Sequence, residues 1–280
     1  MSRHDTLSHV QIAEFQHEGV LVLRGFYDFE ADIVPIQQCI HRLIGQVMKR
    51  HGIEDARPRF SSERFDDGYQ ALIEHDRRFG GEIYDAVKQI PAFIRLLGGP
   101  MHERLFKALR PGAIPGIAAG GYGIRIDNPN EERYRAEWHQ EYPSQLRSMD
   151  GLVFWSPLLQ ITPQLGPVQF CRGSHATGPL PVLTKDGGGK SGAYAVRLKD
   201  EARLLARYEK IAPLTSPGDL VVVDFLTLHA SGFNTSGRSR WSLQFRYFNF
   251  DDPTGLAHGW KGSFAAGVNF KQIHPELCAD

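Results

Sequence analysis

At 280 residues and 31.5 kDa, the chain has room for one large domain or two small ones and for a substantial core. Its 32 basic and 32 acidic residues leave a formal charge of zero, and 41% hydrophobic with 23% charged residues is ordinary globular composition. That excludes a disordered chain and leaves no electrostatic footprint for a nucleic acid or an anionic membrane. Twelve histidines are the unusual count, and they raise metal or proton chemistry.

The first element is well punctuated. Ser8 with Gln11 forms a capping box, Leu7 with Ile12 a hydrophobic staple, and Gly19 stands where a helix beginning near residue 9 should end. Val20-Leu21-Val22-Leu23 reads as a buried strand. Residues 29–50 read as a second helix, with Pro35 tolerated near its start or as a kink. The Arg-, Asp- and Ser-rich stretch 51–70 reads as a surface loop, and 71–97 returns to helical periodicity.

From about residue 113 short strand-like runs take over, at 117–126, 136–142, 151–159, 167–171, 193–198, 219–226 and 241–250. A helical first third followed by some seven short strands predicts a β-sandwich or barrel with helices on one side, a mainly β (α+β) fold. Segment 176–192, with Gly187-Gly188-Gly189, reads as a mobile loop. Nothing splits the chain. We expect one domain over 1–280, with a helical portion to about 112, a β core over about 113–250 and an extension over 251–280.

Cys39, Cys171 and Cys278 are odd in number and widely spaced, which excludes a disulfide framework or a CxxC site and fits a reducing cytosol. Met1 to Asp5 is polar with no apolar run behind it. The most apolar run, Leu220 to Leu228, contains Asp224 and is too short to span a bilayer. The expectation is a soluble, cytoplasmic protein.

The chemically informative stretch is Ala136-Glu137-Trp138-His139-Gln140-Glu141-Tyr142. On a strand, His139 and Glu141 share a face, which supplies two-thirds of a 2-His-1-carboxylate facial triad for Fe(II). His229, at the end of the apolar run 220–228, is the candidate third ligand. Eleven residues later Arg240 opens another strand, with Ser242 on its face. A guanidinium fork there suits the far carboxylate of a dicarboxylate co-substrate, and Ser231 can add a hydroxyl.

With Gly19-Val20-Leu21-Val22-Leu23-Arg24-Gly25, Val153-Phe154-Trp155-Ser156-Pro157-Leu158, Gly166 to His175 and Pro217-Gly218-Asp219-Leu220, these pieces stand in an order that resembles one family. It is the Fe(II)/2-oxoglutarate-dependent oxygenases similar to phytanoyl-CoA dioxygenase. The resemblance covers about residues 8–250 and implies a double-stranded β-helix (jelly-roll, cupin-like) core. It implies iron ligation by His139, Glu141 and His229, 2-oxoglutarate binding by Arg240, and a pocket-lining Trp155. It further implies O2 as co-substrate, succinate and CO2 as products, and hydroxylation of a small molecule as the default outcome, with desaturation or cyclisation as variants. Two positions depart from the family pattern. Glu141 replaces the usual aspartate and adds a methylene, so its backbone must sit farther back, while the retained carboxylate argues against the halogenase variant. Arg172 replaces a proline in a turn.

Blander readings compete at several positions. Arg238 shares strand parity with Arg240, but spacing and Ser242 favour Arg240. Trp155 reads first as a core aromatic, and His175, in the turn Arg172-Gly173-Ser174-His175, as a structural hydrogen-bonding group. His4, His9, His17, His41, His51, His75, His102, His258 and His274 read mostly as surface or helix-face residues. Gly187 to Ser191 imitates a P-loop without its first glycine or its helix, and Gly120-Gly121-Tyr122-Gly123 is a bend. Arg125, Tyr142, Gln145 and Arg147 could form a polar pocket for an anionic small molecule, or Arg125 and Arg147 could be surface or co-substrate-side charges. The rival to an oxygenase is a cupin-like metal-binding isomerase or small-molecule binding protein, which has no use for Arg240.

Overall fold

The computed structural model describes residues 7–183, 197–262 and 269–279. Helix α1 (His9–Glu18) begins as its sequence dictates. The Gln11 N–H donates to Ser8 Oγ at 3.2 Å and the Ser8 N–H to Gln11 Oε1 at 2.9 Å, filling two of the donors a helix start leaves open. Gly19 ends it in the left-handed region at φ +72°. A Cβ there would lie 2.4 Å from both His175 Nδ1 and Thr227 Oγ1, so α1 is seated hard against the turn at 172–175. Arg172 clasps Glu18 with hydrogen bonds of 2.5 and 2.6 Å, and these hold the Glu18 carboxyl below its usual range. The residue that replaces a turn proline therefore fastens the first helix to the β core.

The chain next forms strand β1 (Val20–Leu23). The helix expected over 29–50 is two pieces, a π turn over Phe29–Ile33 and α2 (Val34–Arg50) with Pro35 in its first turn. A proline ring crowds the carbonyl four residues back, and the wider turn ahead of it relieves that clash. The region 71–97 is α3 (Tyr69–His75), α4 (Arg77–Val87) and α5 (Pro91–Leu97), broken where Asp76 turns extended and caps the Arg78 N–H; α6 (Pro100–Leu109) follows. The expected surface loop 51–70 needs correcting. Phe65 and Tyr69 are fully buried against Trp241, and Asp66 accepts hydrogen bonds from Trp241 Nε1 and Arg238. Two aromatic anchors outweigh the polar residues around them.

The strands that follow are β2 (Pro115–Ile117), β3 (Gly123–Asp127), β4 (Gly151–Pro157), β5 (Val168–Cys171), β6 (Val182–Leu183), β7 (Arg197–Leu198), β8 (Lys210–Ile211), β9 (Leu220–Asp224), β10 (His229–Ser231), β11 (Arg240–Asn249) and β12 (Cys278–Ala279). A main antiparallel sheet runs β1-β9-β4-β11-β2, with β3 also on β11. A second runs β10-β5-β8, and a small third one β12-β6-β7. The expected strand 117–126 is interrupted at Gly120, φ +76°. Residues 136–142 are not a strand at all. Of the predicted strand 193–198, residues 193–196 lie outside the described residues, as do Gly187-Gly188-Gly189 and the P-loop imitation.

The main sheet is buried on both faces, which is why its strands read as continuous apolar runs. Alternate residues serve different cores. Leu21, Leu220, Val222, Phe154, Leu243 and Phe245 pack under the helices, whereas Val20, Val153, Trp155, Val221 and Val223 face the second sheet. The result is a jelly roll with helices covering one outer face, as the sequence predicted. Among the described residues no helix is long and apolar enough to cross a membrane, and the three cysteines are free thiols.

One histidine read as a surface residue belongs to the helix-side core. His102 is fully buried among Phe26, Phe154 and Phe245, with Tyr27 Oη 2.8 Å from its Nε2. Burial drives its pKa down from 6.5 to about 3, so the ring is neutral in the folded protein. The unfolded chain takes up the proton first. Stability is therefore intact above pH 6.5 and falls as the pH drops from there towards 3, by on the order of a few kcal/mol. Urea unfolding from pH 7.5 to 4 should show this slope, and His102→Gln should be less stable at pH 7.5 but lose less on acidification.

Candidate metal centre and its arginines

Backbone geometry brings the two imidazoles together. The His139 N–H donates to the His229 carbonyl and the His229 N–H to the His139 carbonyl, both at 3.0 Å, in one isolated antiparallel bridge. Directly opposed residues project to the same side, and the ring centroids lie 4.2 Å apart. Glu141 arrives differently from the shared strand face expected of it. After His139 the chain turns helical, Glu141 at φ −69°, ψ −35° caps a short helix α7 (Tyr142–Gln145), and Leu146 in the left-handed region ends it. A change of backbone, not strand alternation, swings the carboxylate under the rings.

Glu141 Oε2 lies 3.9 Å from His139 Nε2 and 3.6 Å from His229 Nε2, and one donor atom from each of the three residues falls within 4.8 Å of the others. Metal–ligand bonds of about 2.1 Å at right angles set neighbouring donors roughly 3 Å apart, so a modest contraction closes the set on a cation. The tautomers agree. Nδ1–H of His139 donates to the Glu137 carbonyl at 2.7 Å and Nδ1–H of His229 to the Thr227 carbonyl at 2.9 Å, which leaves both Nε2 lone pairs for a metal. Burial, with His229 beside it, lowers the His139 pKa to about 3 and keeps the ring in its ligating form. Burial alone would raise the Glu141 pKa, but the Arg246 guanidinium beside it overcomes that and holds the group ionised.

The triad opens on a cavity between the two sheets. Val153, Trp155, Gln244 and Arg246 line it from the main sheet, and Phe170 and Ser231 from the second. Polar residues alternate along one face of β11 as Arg240, Ser242, Gln244 and Arg246. Arg240 is completely buried. Its Nη2 donates to Asp127 at 2.8 Å and to Ser231 Oγ at 2.9 Å, while Nε, Nη1 and the Ser242 hydroxyl are buried with no hydrogen-bond partner. Unfilled donors of this kind are costly and rare in a folded core and suit an oxyanion; Ser231, which Arg240 contacts, lines the cavity. Burial would raise the pKa of Asp127; Arg125 and Arg240 outweigh that and keep it ionised.

The other candidates separate clearly. Arg238 is committed to Asp66 on the outer face. His175 Nε2–H donates to the Gln16 carbonyl at 3.1 Å and lies outside the triad. Of the four polar residues near the metal stretch, Arg125 lines the cavity, while Tyr142 pairs with His274, formerly unassigned. Gln145 donates to Glu141, and Arg147 donates to Gln145. Arg246, Asp127 and Gln244 escaped the sequence reading. Arg246 and Gln244 are signalled by the polar alternation along 240–246, but Asp127 has no sequence signal beyond its charge.

The family model described as phytanoyl-CoA dioxygenase (PhyH) matches residues 15–242. No curated protein matches the sequence. Among solved structures, the chain is similar to EctD from S. alaskensis with 2-oxoglutarate and 5-hydroxyectoine. The TM-score is 0.59 at 17% identity, covering 96% of this chain and 87% of that one. It is similar to the non-heme alpha ketoglutarate dependent epimerase SnoN from nogalamycin biosynthesis, with TM-score 0.54, 16% identity and coverage of 93% and 90%. AviO1 from Streptomyces viridochromogenes Tue57 gives 0.55 at 19% identity, with coverage of 89% and 98%.

The ligand geometry makes a direct prediction. After anaerobic loading with Fe(II), metal analysis should find His139→Ala and His229→Ala empty and His175→Ala still loaded. An empty His175→Ala alone would refute the ligand assignment.

Proposed function

We propose a function from the premise that the chain belongs to the phytanoyl-CoA dioxygenase (PhyH) family: it is an Fe(II)- and 2-oxoglutarate-dependent oxygenase that hydroxylates a small molecule. His139 Nε2, Glu141 Oε2 and His229 Nε2 would hold the iron, with the cavity beside them to take 2-oxoglutarate and O2. When bound, the iron supplies the oxidising chemistry, in which 2-oxoglutarate is converted to succinate and CO2 and a substrate C–H bond is oxidised.

The chain's own part is binding, orientation and exclusion of water. Arg240 receives the distal carboxylate of 2-oxoglutarate through the guanidinium nitrogens that lack partners, with Ser231 and Ser242 beside it. Asp127 holds the guanidinium plane in place from behind, so little side-chain entropy is lost when the carboxylate arrives. Trp155, Val153 and Phe170 are apolar walls that keep bulk water from the reacting end. The two Nδ1–H donations to backbone carbonyls fix both imidazoles as neutral ligands throughout. The observation that carries the reading is the buried guanidinium of Arg240 with donors to spare, which a non-oxidative metal barrel has no reason to keep.

The test joins binding to turnover. Arg240→Gln should weaken 2-oxoglutarate binding to the Co(II)-loaded protein by about 10–100-fold while Co(II) affinity stays unchanged. Succinate release, scored over a panel of small molecules, should pick out the substrate. A wild-type protein that binds the metal but neither binds 2-oxoglutarate nor releases succinate would sink the oxygenase reading.

A further inference from the structure

The two oxygens of Glu141 are not equivalent. Oε1 accepts hydrogen bonds from Arg246 Nε and Gln145 Nε2, both at 3.0 Å, while Ser144 Oγ, 3.2 Å away, directs its one proton to the Glu141 carbonyl at 2.8 Å. Oε2 is the oxygen turned to the histidines. A carboxylate oxygen offers about two lone-pair directions, so the Arg246 and Gln145 donors fill Oε1 and leave it none for a cation. The donors come from separate parts of the fold. Arg246 reaches across from β11, and Gln145 sits on α7, one turn past Glu141 itself. Arg147 then braces Gln145 at 3.2 Å and is anchored on the Ala119 carbonyl at 2.6 Å.

We propose that Arg246, with Gln145, is a positioning residue that reserves Glu141 Oε1 and so makes the glutamate a one-oxygen ligand through Oε2. The assignment rests on the metal-site reading above and adds a reason for the longer side chain. Glu141 stands on helical backbone, and its carboxylate must meet both the β11 guanidinium and the imidazole pair. An aspartate at the same Cα falls one carbon short of one or the other. Arg246 thus does for the metal ligand what Arg240 does for the co-substrate, from the same face of the same strand six residues on. With Oε1 withdrawn, the cation keeps an additional position that a two-oxygen carboxylate would occupy.

Co(II) binding to the otherwise metal-free protein reads this directly, because its visible spectrum reports coordination number and its titration reports affinity. Arg246→Met should weaken Co(II) binding by about 10–100-fold and change the spectrum as the released Oε1 turns to the metal. Gln145→Leu should shift the spectrum in the same direction by less. Glu141→Asp should lose affinity, and adding Arg246→Met to it should cost little more, since the contact is already broken. Thermal unfolding of each metal-free variant shows whether the fold is retained; if Arg246→Met does not fold, Gln145→Leu and Glu141→Asp still decide. Wild-type spectra and affinities in folded Arg246→Met or Gln145→Leu would overturn the proposal while leaving the metal site standing. A wild-type protein that binds no Co(II) would overturn both.

Discussion

Two reciprocal backbone hydrogen bonds between residues 139 and 229 are the constraint on which the site depends. They tie the segment around His139, whose Ala136 carbonyl also accepts from the Ser231 N–H, to β10, and ninety positions separate the two ends. Closing so long a loop costs entropy that two hydrogen bonds cannot offset. The closure is carried by what lies between, namely β4 and β9 side by side in the main sheet and β5 against β10 in the second. Once those sheets face one another, residue 139 has few places to go. The metal geometry is thus a consequence of sheet pairing, and any change that loosens β5 from β10 should move His229 before it moves His139.

The cavity side of the molecule is expensive. Arg240, Asp127, Glu141 and Arg246 are all taken from water, and buried ion pairs recover their desolvation only when geometry and hydrogen bonding are good. Stability has to come from elsewhere, and the division of the main sheet shows where. Its outer face meets the helices through a layer of leucine, isoleucine and aromatic side chains, with His102 buried among them. Its inner face accepts charges. The same alternation along β11 therefore separates the apolar residues that hold the fold from the polar residues of the inner face.

Much of this was legible in the sequence, for reasons that differ by residue. The capping box at Ser8 and Gln11 is local chemistry and needs no tertiary context. His139, Glu141, His229 and Arg240 stood out because their types and spacing match a facial triad and a carboxylate clamp. The backbone around Glu141 did not stand out, since Trp138 and Tyr142 suggest a strand. Pro143 was the neglected signal, because a proline is at home in the first turn of a helix. Phe65 and Tyr69 were hidden by the polar residues around them, and the burial of His102 depends on neighbours more than fifty residues away. Asp127 and Gln145 acquire their roles from partners distant in sequence or one helical turn away, and composition carries no trace of that.

The shared grip of Arg125 and Arg240 on Asp127 has a further consequence. A bare buried guanidinium would attract any small anion by its field alone, and chloride or phosphate would compete with the intended guest. Here Asp127 balances one of the two guanidiniums and leaves a single net positive charge, so the field alone does little to choose among anions. What Arg240 retains is direction, in the form of unfilled N–H groups at fixed angles beside two hydroxyls. On the proposed function, selection at Arg240 is then a matter of shape and hydrogen-bond vectors, which favour a flat, forked carboxylate over a spherical ion of equal charge.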